Sequence, residues 1–170
     1  MYKIVLIGPE STGKTTLARA LADFFETVWV KEYAREYLNH LKCDYVFEDL
    51  EKIAKGQIES EEQQAKLAKD ILVCDTDLIV IKVWSEFIYQ SCSNWILNTI
   101  QHRQYDLYVL CGIDVPWEAD PLREHPDAEQ RQELYNLYKK ALQDYGKTFI
   151  EVRGTIEERL RQVVDFIKKV

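Results

Sequence analysis

The sequence predicts an α/β fold around a parallel β-sheet, and three observations carry that expectation. Short, continuous apolar runs recur along the chain, as strands buried on both faces require. Segments of helical periodicity alternate with them, the order of a parallel sheet with helical crossovers. A glycine-bearing turn, Gly8-Pro9-Glu10-Ser11-Thr12-Gly13-Lys14-Thr15, joins the first apolar run to the first helical one.

The elements follow in order. Lys3–Ile7 is a continuous apolar run and suits a central strand. Lys14–Phe25 carries Leu17, Ala18, Leu21, Ala22 and Phe25 at amphipathic spacing and reads as a helix. Thr27–Lys31 is β-branched and aromatic, hence a second strand. Glu32–Leu41 reads as a helix or helical turn. Glu48–Ala68 reads as a long charged helix with Leu50, Ile53, Ala54 and Gln57 along one side. Ile71–Cys74 is a third strand that ends at Asp75-Thr76-Asp77, Leu78–Ile100 reads as one helix, and Leu107–Cys111 is a fourth strand. The stretch Gly112–Asp127 holds Pro116, Pro121 and Pro126 and reads as an irregular loop, with residues 116–131 a candidate lid. Ala128–Tyr145 is a polar helix with Gly146 at its C-cap. Phe149–Val152 is a fifth strand. Thr155–Lys169 is a closing helix, with Thr155 as N-cap and Glu158 completing a capping box.

A chain of 170 residues fits one domain, 1–170, with its own core. Hydrophobic residues at 46% and charged residues at 30% argue against disorder. The net charge of −7 argues against a duplex nucleic-acid binder, which needs a basic surface. It leaves room for a small anion in a locally basic pocket. Cys43, Cys74, Cys92 and Cys111 form no C-x-x-C pair and read as free thiols of a reduced compartment. His40, His102 and His125 form no ligand pattern. No leader and no apolar stretch of roughly 20 residues is visible, so a cytoplasmic protein with no membrane partner is expected.

The turn at Gly8–Thr15 fits G-x-x-x-x-G-K-[ST], the P-loop of nucleoside-triphosphate enzymes. With Gly at about 7% of residues, that pattern arises by accident in under about one per cent of chains this long. Here it also lies between a buried strand and an amphipathic helix, the context the motif needs. Its backbone N–H groups and the helix N-terminus face a phosphate. Gly8, Glu10, Ser11, Thr12, Gly13, Lys14, Thr15 and Thr16 are the expected nucleotide contacts. Lys14 reaches the β- and γ-phosphates of ATP, and the Thr15 hydroxyl holds Mg²⁺.

Ligands of an open parallel sheet bind beyond the carboxyl ends of its strands. Strand three ends at Asp75, a candidate second ligand for Mg²⁺ or else a helix N-cap. Asp77 is either an N-cap or a substrate contact. Strand two ends at Glu32, a candidate general base for an acceptor hydroxyl, with Arg35 as a partner for it or for substrate. Arg123 and Arg131 flank the proline-bearing loop, with Asp120 nearby. Closing such a loop over phosphates excludes water and stabilises developing charge. Tyr33, Tyr37, Trp84 and Trp117 are stacking candidates for a flat ring, or else core.

Four segments together, Gly8–Thr15, Glu32-Tyr33-Ala34-Arg35-Glu36-Tyr37, Cys74-Asp75-Thr76-Asp77 and Trp117-Glu118-Ala119-Asp120-Pro121-Leu122-Arg123, resemble the ribosylnicotinamide kinase domain at the C-terminus of bifunctional NadR proteins. A related stand-alone AAA-type ATPase-domain family shares them. The resemblance runs from Lys3 to Val170. It implies a P-loop NTPase fold of the nucleoside and nucleotide kinase type, with a five-stranded parallel sheet ordered 2-3-1-4-5 flanked by helices. It implies ATP-dependent phosphorylation of the 5′-hydroxyl of nicotinamide riboside. It matches Glu32 to the acid at the acceptor sugar, Asp75 to the acid after strand three, and Arg123 to the lid arginine. The loop around Gly154 is where related kinases hold adenine, mostly by backbone. Two features depart from the family. This chain starts at its P-loop strand without an H-x-G-H motif, so adenylyltransferase activity is not expected. The segment after Asp77 is apolar, Leu78-Ile79-Val80-Ile81.

The alternative reading is an ATP-binding or ATP-hydrolysing regulatory module without a small acceptor. A GTPase is disfavoured because no D-x-x-G and no [NT]-K-x-D occurs. An AAA+ motor is disfavoured because no Asp-Glu pair follows strand three. A kinase for another nucleoside stays open.

Overall fold

The computed structural model describes residues 1–41, 43–118 and 127–169. Five strands are present, β1 (Tyr2–Ile7), β2 (Trp29–Val30), β3 (Ile71–Asp75), β4 (Leu107–Cys111) and β5 (Phe149–Val152). They pair in parallel in the order β2-β3-β1-β4-β5, the order implied by the resemblance. Between them lie α1 (Lys14–Phe24), α2 (Tyr33–His40), α3 (Phe47–Ala65), α4 (Leu78–Tyr89), α5 (Asn94–His102), α6 (Ala128–Asp144) and α7 (Ile156–Ile167).

The strand period of two assigns the faces of β1. Ile4 and Leu6 join one core with Leu17 and Leu21 of α1 and Val163 of α7. Val5 and Ile7 join the other with Ile53 of α3, Ile79 of α4 and Leu142 of α6. All of these side chains are fully buried. At about 1.5–3 kcal/mol per buried aliphatic side chain, both faces anchor the sheet. The register sets Leu6 beside Asp75. The end of β1 and the acid ending β3 are therefore neighbours.

Several boundaries differ from the sequence reading. Leu78–Ile100 is two helices. Gln90 adopts left-handed backbone at φ 51, which ends α4. The Ser93 hydroxyl then accepts the Trp95 N–H to start α5, and the Ser85 hydroxyl donates to the Ser91 carbonyl. Short hydroxyl side chains offer the backbone this alternative, and apolar periodicity on both sides hid the break. Only Trp29–Val30 of the expected second strand pairs with β3. The long third helix begins at Phe47, where Asp49 accepts the Val46 N–H, and ends at Ala65. The Thr155–Glu158 capping box stands as read, while the C-cap of α6 is Tyr145, one residue short of the expected end, with Gly146 following at φ 60. The apolar run after Asp77 is the buried start of α4.

All four cysteines are free, with Cys74 and Cys111 buried. Among the described residues, no helix is long and apolar enough to cross a membrane. Asp120 and Arg123, and with them the middle of the expected lid, lie outside the described residues.

Candidate active site

A cavity of about 690 Å³ opens beyond the carboxyl ends of the strands, within the range of small-molecule sites. The P-loop forms its middle. Gly8 ends β1 at φ 144, and a Cβ there would lie 2.9 Å from the Cys111 carbonyl oxygen of β4. Gly13 is the N-cap of α1 at φ 78, a left-handed conformation that favours glycine. No side chain caps this helix and its first turn carries no acid. The donors and positive dipole end are thus left for an anion. The loop holds its own shape. Thr12 Oγ1 donates to the Pro9 carbonyl at 2.8 Å, and Lys14 Nζ donates to the Gly8 and Pro9 carbonyls at 2.9 and 2.8 Å.

One end of the cavity is built by α2 and α4. Glu32, the N-cap of α2, lines it with Ala34, Arg35 and Leu38, and Val80 and Trp84 of α4 face them. The Trp84 indole is fixed by donating to the Tyr45 hydroxyl at 3.1 Å and by an edge contact with that ring at 5.0 Å. This end carries four apolar side chains, Ala34, Leu38, Val80 and Trp84, with one acid and one guanidinium. The other end is built after β4 and β5 from Asp114, Val115 and Pro116, and from Gly154, Ile156 and Glu158.

Asp75 lies one layer beneath the P-loop, 1% exposed. Its Oδ2 accepts the Thr15 hydroxyl at 2.5 Å, and its Oδ1 has no partner among the described residues. Burial and the neighbouring Glu32 charge push its carboxyl up to about 6, against the pull of Lys14, Thr15 and Arg35. A buried carboxylate strained this way, with an orphaned oxygen beside a hydroxyl, fits a hard divalent cation. Thr15 and Asp75 supply two oxygens. Magnesium is commonly held by one or two protein oxygens plus the phosphates of its nucleotide.

Several expected contacts lie elsewhere. Asp77 is the N-cap of α4: it accepts the Ile79 N–H and the Tyr108 hydroxyl, is 3% exposed, and does not line the cavity. Burial pushes its carboxyl up to about 6 against those hydrogen bonds. The Tyr33 ring lies against Gly56 of α3, and Tyr37 donates to Asp49 at 2.7 Å. The Tyr37 side chain turns to α3 because the buried Asp49 needs a partner on α2, and Gln57 Oε1 accepts the Tyr33 backbone N–H, which holds the start of α2 against α3. Arg131 is 7% exposed and donates to the Ser11 and Val115 carbonyls, with its guanidinium 5.6 Å over the Trp117 ring. It braces the P-loop from α6, and Trp117 lies against it, off the cavity wall.

Sequence reasoning missed Asp114 and Arg159, and read Glu158, which lines the cavity, as a capping residue alone. Asp114 follows β4, so asking what ends the fourth strand, as was asked of the first three, would have found it. Arg159 sits on the stripe of α7 that also carries Val163. A charge at an apolar position of an amphipathic helix was its signal.

The sequence profile of the AAA domain family matches residues 3–159. Over 172 residues the chain is 27% identical to the trifunctional NAD biosynthesis/regulator protein NadR of Escherichia coli K12, covering 98% of this chain and 42% of that protein. The fold is similar to that of a NadR protein solved in complex with NR, at TM-score 0.79 and 22% identity over 99% of this chain and 50% of that one. A second NadR structure, with NAD and AMP-PNP, has TM-score 0.74 at 22% identity, covering 99% and 49%. Thymidylate kinase from Ehrlichia chaffeensis has TM-score 0.72 at 12% identity, covering 98% of each chain. The solved structures establish the fold, and the chain spans under half the length of the curated NadR relative. With a profile match across residues 3–159 and a formed P-loop at Gly8–Thr15, the chain belongs to the AAA domain family.

Proposed function

We propose that this chain is a kinase that transfers the γ-phosphoryl group of ATP to the 5′-hydroxyl of nicotinamide riboside, giving nicotinamide mononucleotide. The observation that carries the reading is the uncapped N-terminus of α1 at the centre of a cavity with two unlike ends. One end, at the β4 and β5 loops, suits a nucleotide base. The other, with Glu32, Val80 and Trp84, suits a ribosyl group bearing a flat ring. The 27% identity to NadR across this chain supports the acceptor.

In this reading the P-loop amides and Lys14 cradle the β- and γ-phosphates. Lys14 leaves the Gly8 and Pro9 carbonyls to do so. Thr15 and Asp75 hold Mg²⁺, which neutralises phosphate charge when bound. Glu32 accepts the proton of the acceptor hydroxyl as its oxygen bonds to phosphorus. The bond to the β–γ bridging oxygen breaks, and ADP leaves. Trp84 and Val80 face the acceptor ring, and Arg35 balances charge at the pocket mouth. Arg123 supplies positive charge from the lid. The partners are small molecules, and an ATP-consuming salvage step belongs with the cytoplasmic nucleotide pool.

The test is ATP consumption by the purified protein with Mg²⁺ across a panel of nucleosides. Stimulation by nicotinamide riboside, with its monophosphate as product, is the expected result. Stimulation by a different nucleoside reassigns the acceptor. Hydrolysis that no nucleoside raises refutes the kinase reading in favour of a regulatory ATPase.

A further inference from the structure

Arg159 is a fully buried arginine on α7, and nothing in the proposed chemistry uses it. Its guanidinium ties together three segments from different parts of the chain. Nη1 donates to the Thr12 carbonyl of the P-loop at 2.6 Å. Nε donates to the Gly154 carbonyl in the β5–α7 turn at 2.9 Å. Nη2 donates to Asp114 Oδ1 at 2.8 Å and to the Gly112 carbonyl at 3.3 Å, both beyond β4. Asp114 closes the circuit, since its Oδ2 accepts the Gly154 N–H at 2.7 Å. Both Asp114 and Gly154 line the cavity.

Burying a guanidinium costs free energy unless it is paired and its donors are met. Here one carboxylate and three carbonyls meet them. A lysine has no such fork and can satisfy only part of the set. The phosphate loop and the base-side wall therefore cannot shift independently.

We infer that Arg159, with Asp114, is a positioning residue for the nucleotide donor: it holds the base-side wall in fixed relation to the phosphate cradle, so that a nucleoside triphosphate meets both at once. A ligand bound in the α2–α4 end does not depend on this strut. Pre-organisation of this kind raises affinity by removing ordering cost at binding. The inference rests on the reading of the P-loop cavity as an ATP site.

The experiment compares wild type, Arg159→Lys and Asp114→Asn. Asparagine retains the shape of Asp114 but cannot accept at both positions, so it loses one of the two bonds, and it acts at an exposed site where folding is less at risk. Mg·ATP-dependent stabilisation is measured first, then KM for ATP, KM for the acceptor that saturates wild type, and kcat. In Arg159→Lys the KM for ATP rises about tenfold or more, the loss expected for a charged hydrogen-bond network. It rises severalfold in Asp114→Asn, and in both the acceptor KM stays within about twofold. A purely structural role lowers melting temperature and apparent kcat without moving the KM for ATP. ATP KM values unmoved in the folded variants, or acceptor KM rising as much as that of ATP, overturn the inference alone. Wild type that shows no stabilisation by Mg·ATP refutes the ATP-site reading, and the inference with it.

Discussion

Asp75 offers the sharpest test of the site, because its functional placement is set against stability. Its carboxyl, ordinarily near 3.8, is raised to about 6 by burial and by the Glu32 charge. A raised carboxyl value means that the ionised form is less favourable in the fold than in the unfolded chain. At about 1.4 kcal/mol per tenfold change in proton affinity, ionised Asp75 costs roughly 3 kcal/mol at pH 7. That cost fades as pH falls from about 6 towards 4, where the folded group is protonated and the unfolded one has begun to be, and it is gone once pH lies well below 3.8. Asp75→Asn removes the charge and retains an oxygen for the Thr15 hydroxyl, whose bond is 2.5 Å. The new amide must find an acceptor, so the net gain expected is about 2 kcal/mol. For a chain of this length that is roughly 4–8 °C in Tm. Thermal unfolding of both proteins between pH 7 and pH 4, with and without Mg·ATP, reads the effect. The variant should melt higher at pH 7, approach wild type near pH 4, and lose most of its stabilisation by Mg·ATP. Asp77, also raised to about 6, is present in both proteins and cancels in the difference. A variant that melts below wild type at pH 7, or a gap that does not close on acidification, refutes the argument.

Three other outcomes are expected. Lys14→Ala lowers kcat/KM by about 10²–10³, as loss of an electrostatic contact to the transferring group does; near-normal turnover in a steady-state assay contradicts the phosphate assignment. Glu32→Gln lowers kcat by about 10²–10⁴ and leaves the KM for ATP within about twofold; a change confined to ATP affinity removes Glu32 from proton transfer. Thr76 is buried with left-handed backbone at φ 85 and a hydroxyl without a partner among the described residues. A β-branched residue there costs about 1–2 kcal/mol and glycine gives back roughly 0.5–1 in chain entropy, so Thr76→Gly should raise unfolding free energy in urea by about 0.5–1 kcal/mol. A loss larger than about 1 kcal/mol in that titration shows that the Thr76 backbone carries no strain.

The P-loop was legible because its chemistry is local. Glycine at φ 78 as an N-cap, a lysine one residue on and a hydroxyl after it lie within one turn of chain. The strands were legible because runs such as Val5–Ile7 and Leu107–Cys111 are buried on both faces and leave no room for polar residues. The break between α4 and α5 was not, since apolar periodicity continued past it and only the backbone of Gln90 and the cap at Ser93 ended it.

By itself the sequence determined the α/β class, the phosphate cradle and the two acids that end β2 and β3. Each follows from residues adjacent in the chain or from an end-of-strand rule. Only the tertiary structure decided which aromatic and charged side chains reach the cavity. Tyr33 and Tyr37 turn to α3, Asp77 to Tyr108, and Arg131 to the Ser11 and Val115 carbonyls, while Trp84 lines the pocket. It also brought Arg159 within 2.6 Å of Thr12, 147 positions earlier in the chain. The physical reason is that a polar group leaving water goes to whichever partner the packing of distant elements brings near, and spacing along the chain does not encode that choice.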